Sequence, residues 1–421
     1  MLTGNNSMKK IITITLFSLM VSSISGQEIK HYDLEVDVDV LQRKIDVKGT
    51  VEIAFQGQDS LTLVLWESTT VQSILFDNES ADYSFDTIGE SPIYYIPDGG
   101  KLILRNIQSK NISEPVYFAY SCNMKHVSGW AKSFTEEWIE LGYYTAWYPV
   151  HNRSREFTSK IKITIDPGYT VSGSGIVTQD GNEWIMTHDW PVFDNVIIAS
   201  NELKSKKVGG DEIGLELVYT NFPVEDLDSV SVVCQEIYDF YSQIFGKQEN
   251  AYLKYVFNPL EGRGGYSRNK FVSIKASGFN DNLKAGMAHE MAHFWWNRAV
   301  TTTWEDWLNE AFAEYSMLLY LREKDSEETY NRLVTRYRDQ TKDTLPIWGI
   351  DRGSPEAYNA LYFKGSLILV EFENKLGTKD FKKFLGTVIV NQIRNTADFL
   401  NLVEKELSKE YRDWFEKMLK K

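Results

Sequence analysis

Cysteine is nearly absent from this chain: Cys122 and Cys234 are the two among 421 residues. At most one disulfide can form, and two separate, small buried thiols are the better expectation. Long apolar runs are also missing. The run from Ile11 to Val21 falls well short of the roughly 20 residues that a membrane span needs, and no later run is longer, which excludes a stable membrane anchor. Positive charge is in deficit, with 45 Lys and Arg against 59 Asp and Glu and a net charge of -14. Such a balance argues against nucleic acid or an anionic membrane as a partner. Histidine is sparse as well. Of six in all, His31, His126, His151 and His188 lie before residue 200, which leaves two for the rest of the chain.

What is present begins with a leader. Met8-Lys9-Lys10, the apolar stretch to Val21 and the small residues Ser22 to Gly26 have the three regions of a secretory signal peptide. Residues 1–26 are therefore expected to be removed, which would place the mature protein outside the cytoplasm, periplasmic or secreted. No cysteine follows the apolar region, so a lipoprotein anchor is not supported. Loss of Lys9 and Lys10 would take the net charge from -14 to -16.

The remaining chain divides by texture. From Ile29 to about Leu203 apolar and polar residues alternate, as in His31 to Val40, Ile45 to Ile53, Leu61 to Leu65 and Lys160 to Ile165. That alternation, with frequent Gly, Asp and Asn turns, predicts an antiparallel β domain over 27–205. Residues 204–213 read as a polar link or hairpin. Beyond them the pattern turns helical: Val224 to Phe245 closed by Gly246, Ser326 to about Thr341, and Pro355 to Lys375 with Ser354 as cap and Pro at the first helical position. Strands are expected at Tyr252 to Phe257 and Lys270 to Lys275. The fold class is α+β and multidomain, with a mainly helical second domain over 206–421.

Chemistry concentrates between Leu283 and Tyr315. His289-Glu290-Met291-Ala292-His293 is an HExxH pattern with apolar residues at helical spacing in Leu283, Met287, Met291 and Trp295. Histidines four apart lie one helical turn above each other, about 5.4–6 Å along the axis, so both imidazoles can reach one ion. A catalytic zinc takes three protein ligands and keeps one position open. Glu290 lies about 100° round the helix from His289, which suits a general base better than a ligand. A second helix, begun by a capping box at Thr302 and Glu305, brings Glu310 within Trp307-Leu308-Asn309-Glu310 as candidate third ligand. Glu314, one turn further, is placed to accept a hydrogen bond from a ligating histidine's other nitrogen.

HExxH followed by Trp-Leu-Asn-Glu resembles the gluzincin metallopeptidases of the aminopeptidase N family. The resemblance implies zinc held by His289, His293 and Glu310, with Glu290 as base. It also implies a thermolysin-like catalytic domain behind a β domain, and peptides as substrates. Sixteen residues separate His293 from Glu310, two fewer than is usual in that family, which a shortened loop can absorb. In Tyr362-Phe363-Lys364-Gly365 the Tyr-x-Lys-Gly piece resembles the family's tyrosine segment, which assigns Tyr362 to the oxyanion. The family's Gly-x-Met-Glu-Asn strand is matched by Gly264-Gly265-Tyr266-Ser267-Arg268. Ser267 stands where the glutamate that holds a free amino terminus belongs, and Glu140 or Glu261 are candidate substitutes. Arg268 is expected as a surface arginine. Gly264, Gly265 and Tyr266 remain suited to hold a peptide by its main chain. Two readings of different class follow: a zinc peptidase, or a peptide-binding protein on a peptidase scaffold. A purely structural zinc domain is disfavoured, because such sites use four protein ligands and prefer cysteine.

Overall fold

The computed structural model describes residues 28–54, 59–107, 115–151, 156–209, 214–248, 252–260 and 264–421. The predicted leader and Glu261 lie outside the described residues.

Alternation in the sequence becomes alternation in space. In the strand Glu28–Asp39, Tyr32, Leu34, Val36 and Val38 are buried while Asp33, Glu35, Asp37 and Asp39 face solvent, as a half-buried strand requires. It sits inside an eight-stranded sheet, between Lys44–Ala54 and Phe157–Ile165. The expected antiparallel domain needs one correction here. Glu28–Asp39 and Phe157–Ile165 run parallel, His31 opposite Thr158, because the chain between them forms the rest of the half before returning to the same sheet. Gly49 faces the backbone of this strand closely: a Cβ there would meet the Asp33 carbonyl oxygen at 2.2 Å, and its φ is +144°. A three-stranded sheet (Ser60–Trp66, Gly99–Arg105, Asp82–Asp86) and a four-stranded one (Thr170–Gly173, Ile197–Ser200, Ile139–Leu141, Ser133–Phe134) complete the half.

Of the polar stretch 204–213, Lys204–Gly209 is a strand paired antiparallel with Gly214–Tyr219, and residues 210–213 lie outside the described residues. The pair opens a five-stranded sheet that continues through Tyr252–Asn258 and Phe271–Lys275 to the edge strand Gly265–Arg268. Among the described residues eight α-helices follow or pack on it: α1 Leu227–Phe245, α2 Asp281–Ala292, α3 Trp307–Tyr320, α4 Glu327–Gln340, α5 Gly365–Leu376, α6 Thr378–Val390, α7 Thr396–Glu406 and α8 Lys409–Leu419. Gly246 closes α1 at φ +92°, as predicted, and Ser326, where the next helix was expected to begin, caps α4 by accepting from Thr329 N–H.

Two predicted helix starts are displaced. Thr303 rather than Thr302 provides the cap before α3, accepting from Glu305 N–H at 3.3 Å. The Glu305 carboxylate reaches away to Thr396, whose N–H and hydroxyl donate to it at 2.7 and 2.6 Å. A partner from α7 thus outcompetes the local capping box. Ser354 does not cap either; its hydroxyl is buried without a partner, and helical backbone begins only near Ala357, with a π-helical turn over Asn359–Lys364.

Cys122 and Cys234 are free and buried in different halves. The halves meet through a shared apolar cluster that includes Trp138, Val196, Ile198, Val218, Val256 and Phe271. Polar staples cross the same seam. The Lys254 ammonium donates to the Gly173 and Gly175 carbonyls at 2.8 and 3.0 Å, and Arg268 meets Asp194 at 2.6 Å. Among the described residues no helix is long and apolar enough to cross a membrane.

Below the histidine helix, α3 and α5 cross closely. A Cβ on Gly365 would lie 2.5 Å from the Ala311 Cβ, so only glycine lets these helices approach. Gly365→Val is expected to lower unfolding free energy by about 1–3 kcal/mol, the usual cost of overpacking, measured by urea denaturation.

Candidate active site

Helix α2 begins at an asparagine cap, Asn280 accepting from Leu283 N–H at 3.0 Å, and is held from behind by two tyrosines. The Tyr241 and Tyr255 hydroxyls donate to the Ala288 and Met287 carbonyls at 2.9 and 3.2 Å. Regular helix stops at Ala292, short of Trp295, yet His293 keeps helical angles, so the two imidazoles stay one turn apart, edge to face, with ring centroids 5.0 Å from each other. Helix α3 packs across and delivers Glu310. Its Oε2 lies 3.5 Å from His289 Nε2 and 3.3 Å from His293 Nε2. One ligand atom from each of the three residues falls within 4.8 Å of the others.

Of the outward nitrogens one is hydrogen-bonded, and the other lies against a carboxylate without an aligned hydrogen bond. His293 Nδ1 donates to the Trp296 carbonyl at 3.0 Å, and His289 Nδ1 lies 2.7 Å from Glu314 Oε2. A tautomer protonated at Nδ1 leaves each Nε2 with its lone pair turned inward. Glu310 Oε2 is buried with no hydrogen-bond donor. Three acceptors thus face one another, and they fit a cation. Electrostatics agree. Burial would lower both histidine pKa values, but Glu310, joined by Glu314 at His289, outweighs it and raises them. Burial would raise Glu310, yet the two imidazoles hold it below the usual carboxylate range. Carboxylates that attract protons to these rings would equally attract a metal ion.

Glu290 lies beside this group on the cleft wall and is buried. Burial raises its carboxyl pKa, with the histidines pulling it back. Tyr362 lines the same cleft, its ring parallel to His289 at 6.0 Å. Burial first, then the Glu310 charge, pushes its phenol far above 10 and keeps it a proton donor. Glu314 is held by the Tyr337 hydroxyl as well as by His289. The cleft measures about 1310 Å³ and is lined from both halves of the chain, with Gly265 and Tyr266 on the edge strand and Gly264 just before it.

Two expectations are overturned. Glu140 is fully buried and held by three donors, its Oε1 accepting from the Tyr266 and Ser273 hydroxyls at 2.6 and 2.9 Å and its Oε2 from the Trp138 indole at 2.9 Å. With no surface exposed, it is closed off from a substrate ammonium. Arg268 is no surface arginine: only 5% exposed, it pairs with buried Asp194.

Other supporting residues gave no sign in the sequence. Asn309 closes the loop before α3, its amide donating to the Ala299 carbonyl at 3.2 Å and to Asp306 at 2.9 Å while its oxygen accepts from Ala299 N–H at 3.1 Å. Asp306 in turn accepts from Arg352 at 2.9 Å. Asn309 was legible only as part of Trp-Leu-Asn-Glu, and Arg352 and Tyr337 carry no local signal.

Residues 273–420 match the model of the peptidase family M1 domain, a stretch that contains both histidines, Glu310 and Tyr362. Probable aminopeptidase 2 of Sulfurisphaera tokodaii is 28% identical over 218 residues, which are 44% of this chain and 28% of that protein. Aminopeptidase N of Lactococcus lactis is 21% identical over 442 residues, covering 93% of this chain and 50% of its own length. The chain thus spans no more than about half the length of these relatives. In fold it is similar to the M1 zinc metallopeptidase of Deinococcus radiodurans, with a TM-score of 0.74 at 15% identity and 94% of each chain covered. It is similar also to native leukotriene A4 hydrolase of Saccharomyces cerevisiae, with a TM-score of 0.72 at 18% identity, covering 94% of this chain and 68% of that one.

The purified protein is expected to bind one zinc ion per chain by elemental analysis. Glu310→Gln should weaken zinc affinity at least tenfold and His293→Ala should abolish stoichiometric binding, both read by competition with a chelating dye.

Proposed function

We propose that this chain, which carries a peptidase family M1 domain over residues 273–420, is a zinc-dependent, aminopeptidase-like peptidase acting outside the cytoplasm. The observation that carries the reading is the meeting of His289, His293 and Glu310 beside Glu290 on the wall of a peptide-sized cleft. The leader-like text of residues 1–26 supports the location.

In this reading His289, His293 and Glu310 hold zinc, which when bound polarises a scissile carbonyl and acidifies water. Glu290 takes the proton of the attacking water and passes it to the leaving amine. Its buried carboxyl, raised by desolvation, suits a group that must both accept and return a proton. The Tyr362 hydroxyl, protonated throughout, donates to the oxyanion as the carbonyl carbon becomes tetrahedral. Glu314 and the Trp296 carbonyl keep the imidazole rings in the required orientation. The edge strand Gly265–Arg268 presents main-chain groups along which an extended peptide can align.

Glu290→Gln should retain zinc and lose at least a thousandfold in kcat, while Tyr362→Phe should lose about 10²–10³ in kcat with little change in KM, both followed by mass spectrometry on a mixed peptide library. A zinc-loaded parent protein no faster than its Glu290→Gln variant would contradict the peptidase reading and leave a peptide-binding protein on the same scaffold.

A further inference from the structure

One end of the cleft is walled by rings. Tyr95, Trp130, Tyr144 and Phe193 come from the β half and Tyr266 from the edge strand, and all five line the cleft. Four of them touch one another in turn, and Phe193 joins them through Tyr143, whose ring lies 6.3 Å from its own and 5.7 Å from that of Tyr144. Ring centroids lie 5.0 Å apart for Trp130 and Tyr144, 5.9 Å for Tyr144 and Tyr266, and 6.3 Å for Tyr95 and Tyr144. These separations suit edge-to-face and tilted ring packing.

The wall is fixed from beneath. The Arg268 guanidinium carbon lies 4.5 Å from the Tyr266 ring, 4.6 Å from Phe193 and 5.2 Å from Tyr144, which is cation–π range. Arg268 itself is tied at two points, Nε to Asp194 at 2.6 Å and Nη1 to the Ser267 carbonyl at 2.8 Å. Nη2 is buried without a partner among the described residues; the charge is paired with Asp194, and the aromatic neighbours present ring surface to a ligand. The Tyr266 hydroxyl faces away, donating to Glu140.

Trp130 is the uncovered member, 45% exposed at the mouth, although large rings are usually covered. Gly264 runs beside it, where a Cβ would make only an ordinary contact, 3.8 Å from the indole nitrogen; the glycine is called for instead by its φ of +103°. The wall also adjoins the metal-binding group. Arg352 lies 5.3 Å from the Tyr95 ring and 5.9 Å from the Tyr362 ring, and Tyr362 faces His289.

We propose that this wall is a side-chain subsite that selects an aromatic residue beside the scissile bond of a peptide. The inference rests on the peptidase reading above and names the peptides it takes. A rigid set of rings gains most from a flat ring that stacks or meets them edge-on, less from an aliphatic group of equal volume, and least from a small or charged one.

Peptides identical except for Phe, cyclohexylalanine, Ala or Glu at one position test this, with cleavage sites mapped by mass spectrometry. Cleavage beside Phe is expected to exceed that beside Ala in kcat/KM by roughly 10–200-fold, the range for a large apolar group in a matching pocket, with cyclohexylalanine between them and Glu lowest. Trp130→Ala should shrink the Phe-to-Ala ratio about tenfold. Equal cleavage beside Ala, Glu and Phe, or an unchanged ratio in Trp130→Ala, would overturn the subsite. Calorimetry of the Phe and Ala peptides on the zinc-loaded Glu290→Gln protein separates the two claims. Tighter Phe binding in a protein that never cleaves would retain the subsite and discard only the peptidase reading, whereas equal binding would discard the subsite whatever the turnover.

Discussion

Two imidazole nitrogens and a carboxylate oxygen, each offering a lone pair to the same small volume, constrain everything around them. Acceptors that lose water without gaining donors are costly, and here three from half-buried side chains converge within 4.8 Å. The surrounding structure maintains that arrangement. Tyr241 and Tyr255 grip the carbonyls of α2, the Trp296 carbonyl turns His293, Glu314 faces His289, and Tyr337 holds Glu314. Only a cation satisfies the convergence, and the same carboxylates that would draw in a proton make the place attractive to a metal.

The β half contributes more than a scaffold. It meets the five-stranded sheet through buried contacts of both kinds, the Val196, Ile198, Val218 and Val256 cluster and the Arg268–Asp194 pair. A buried ion pair is weak evidence of stability, because desolvation offsets much of its attraction. Its value here is geometric: one guanidinium aligns rings from both halves on one side of the cleft. The edge strand is therefore fixed both in its main chain, by pairing with Phe271–Lys275, and in its side chains, by Asp194 and Glu140.

Much of this was legible in the sequence because it rests on local periodicity. The alternation in His31 to Val40 became a strand with alternating burial, and the four-residue spacing of His289 and His293 became two rings on one helical face. Glu310 and Glu314 were legible for the same reason, being one turn apart on α3. What failed depended on partners distant in the chain. Glu305 looked like half of a capping box and instead bonds Thr396, 91 residues away. Glu140 looked free to meet a substrate, but three neutral donors bury it. Arg268 looked exposed because arginines usually are, and a buried aspartate 74 positions earlier changed that. The parallel pairing of Glu28–Asp39 with Phe157–Ile165 was equally out of reach, since nothing in either strand specifies the direction of its neighbour.

The most direct test of the account is zinc K-edge X-ray absorption on the purified protein. It should report two imidazole nitrogens at about 2.0–2.1 Å and one carboxylate oxygen at about 2.0–2.2 Å, with a fourth position filled by a light non-protein atom. Sulfur in the coordination sphere, four protein ligands, or no stoichiometric metal at all would contradict it.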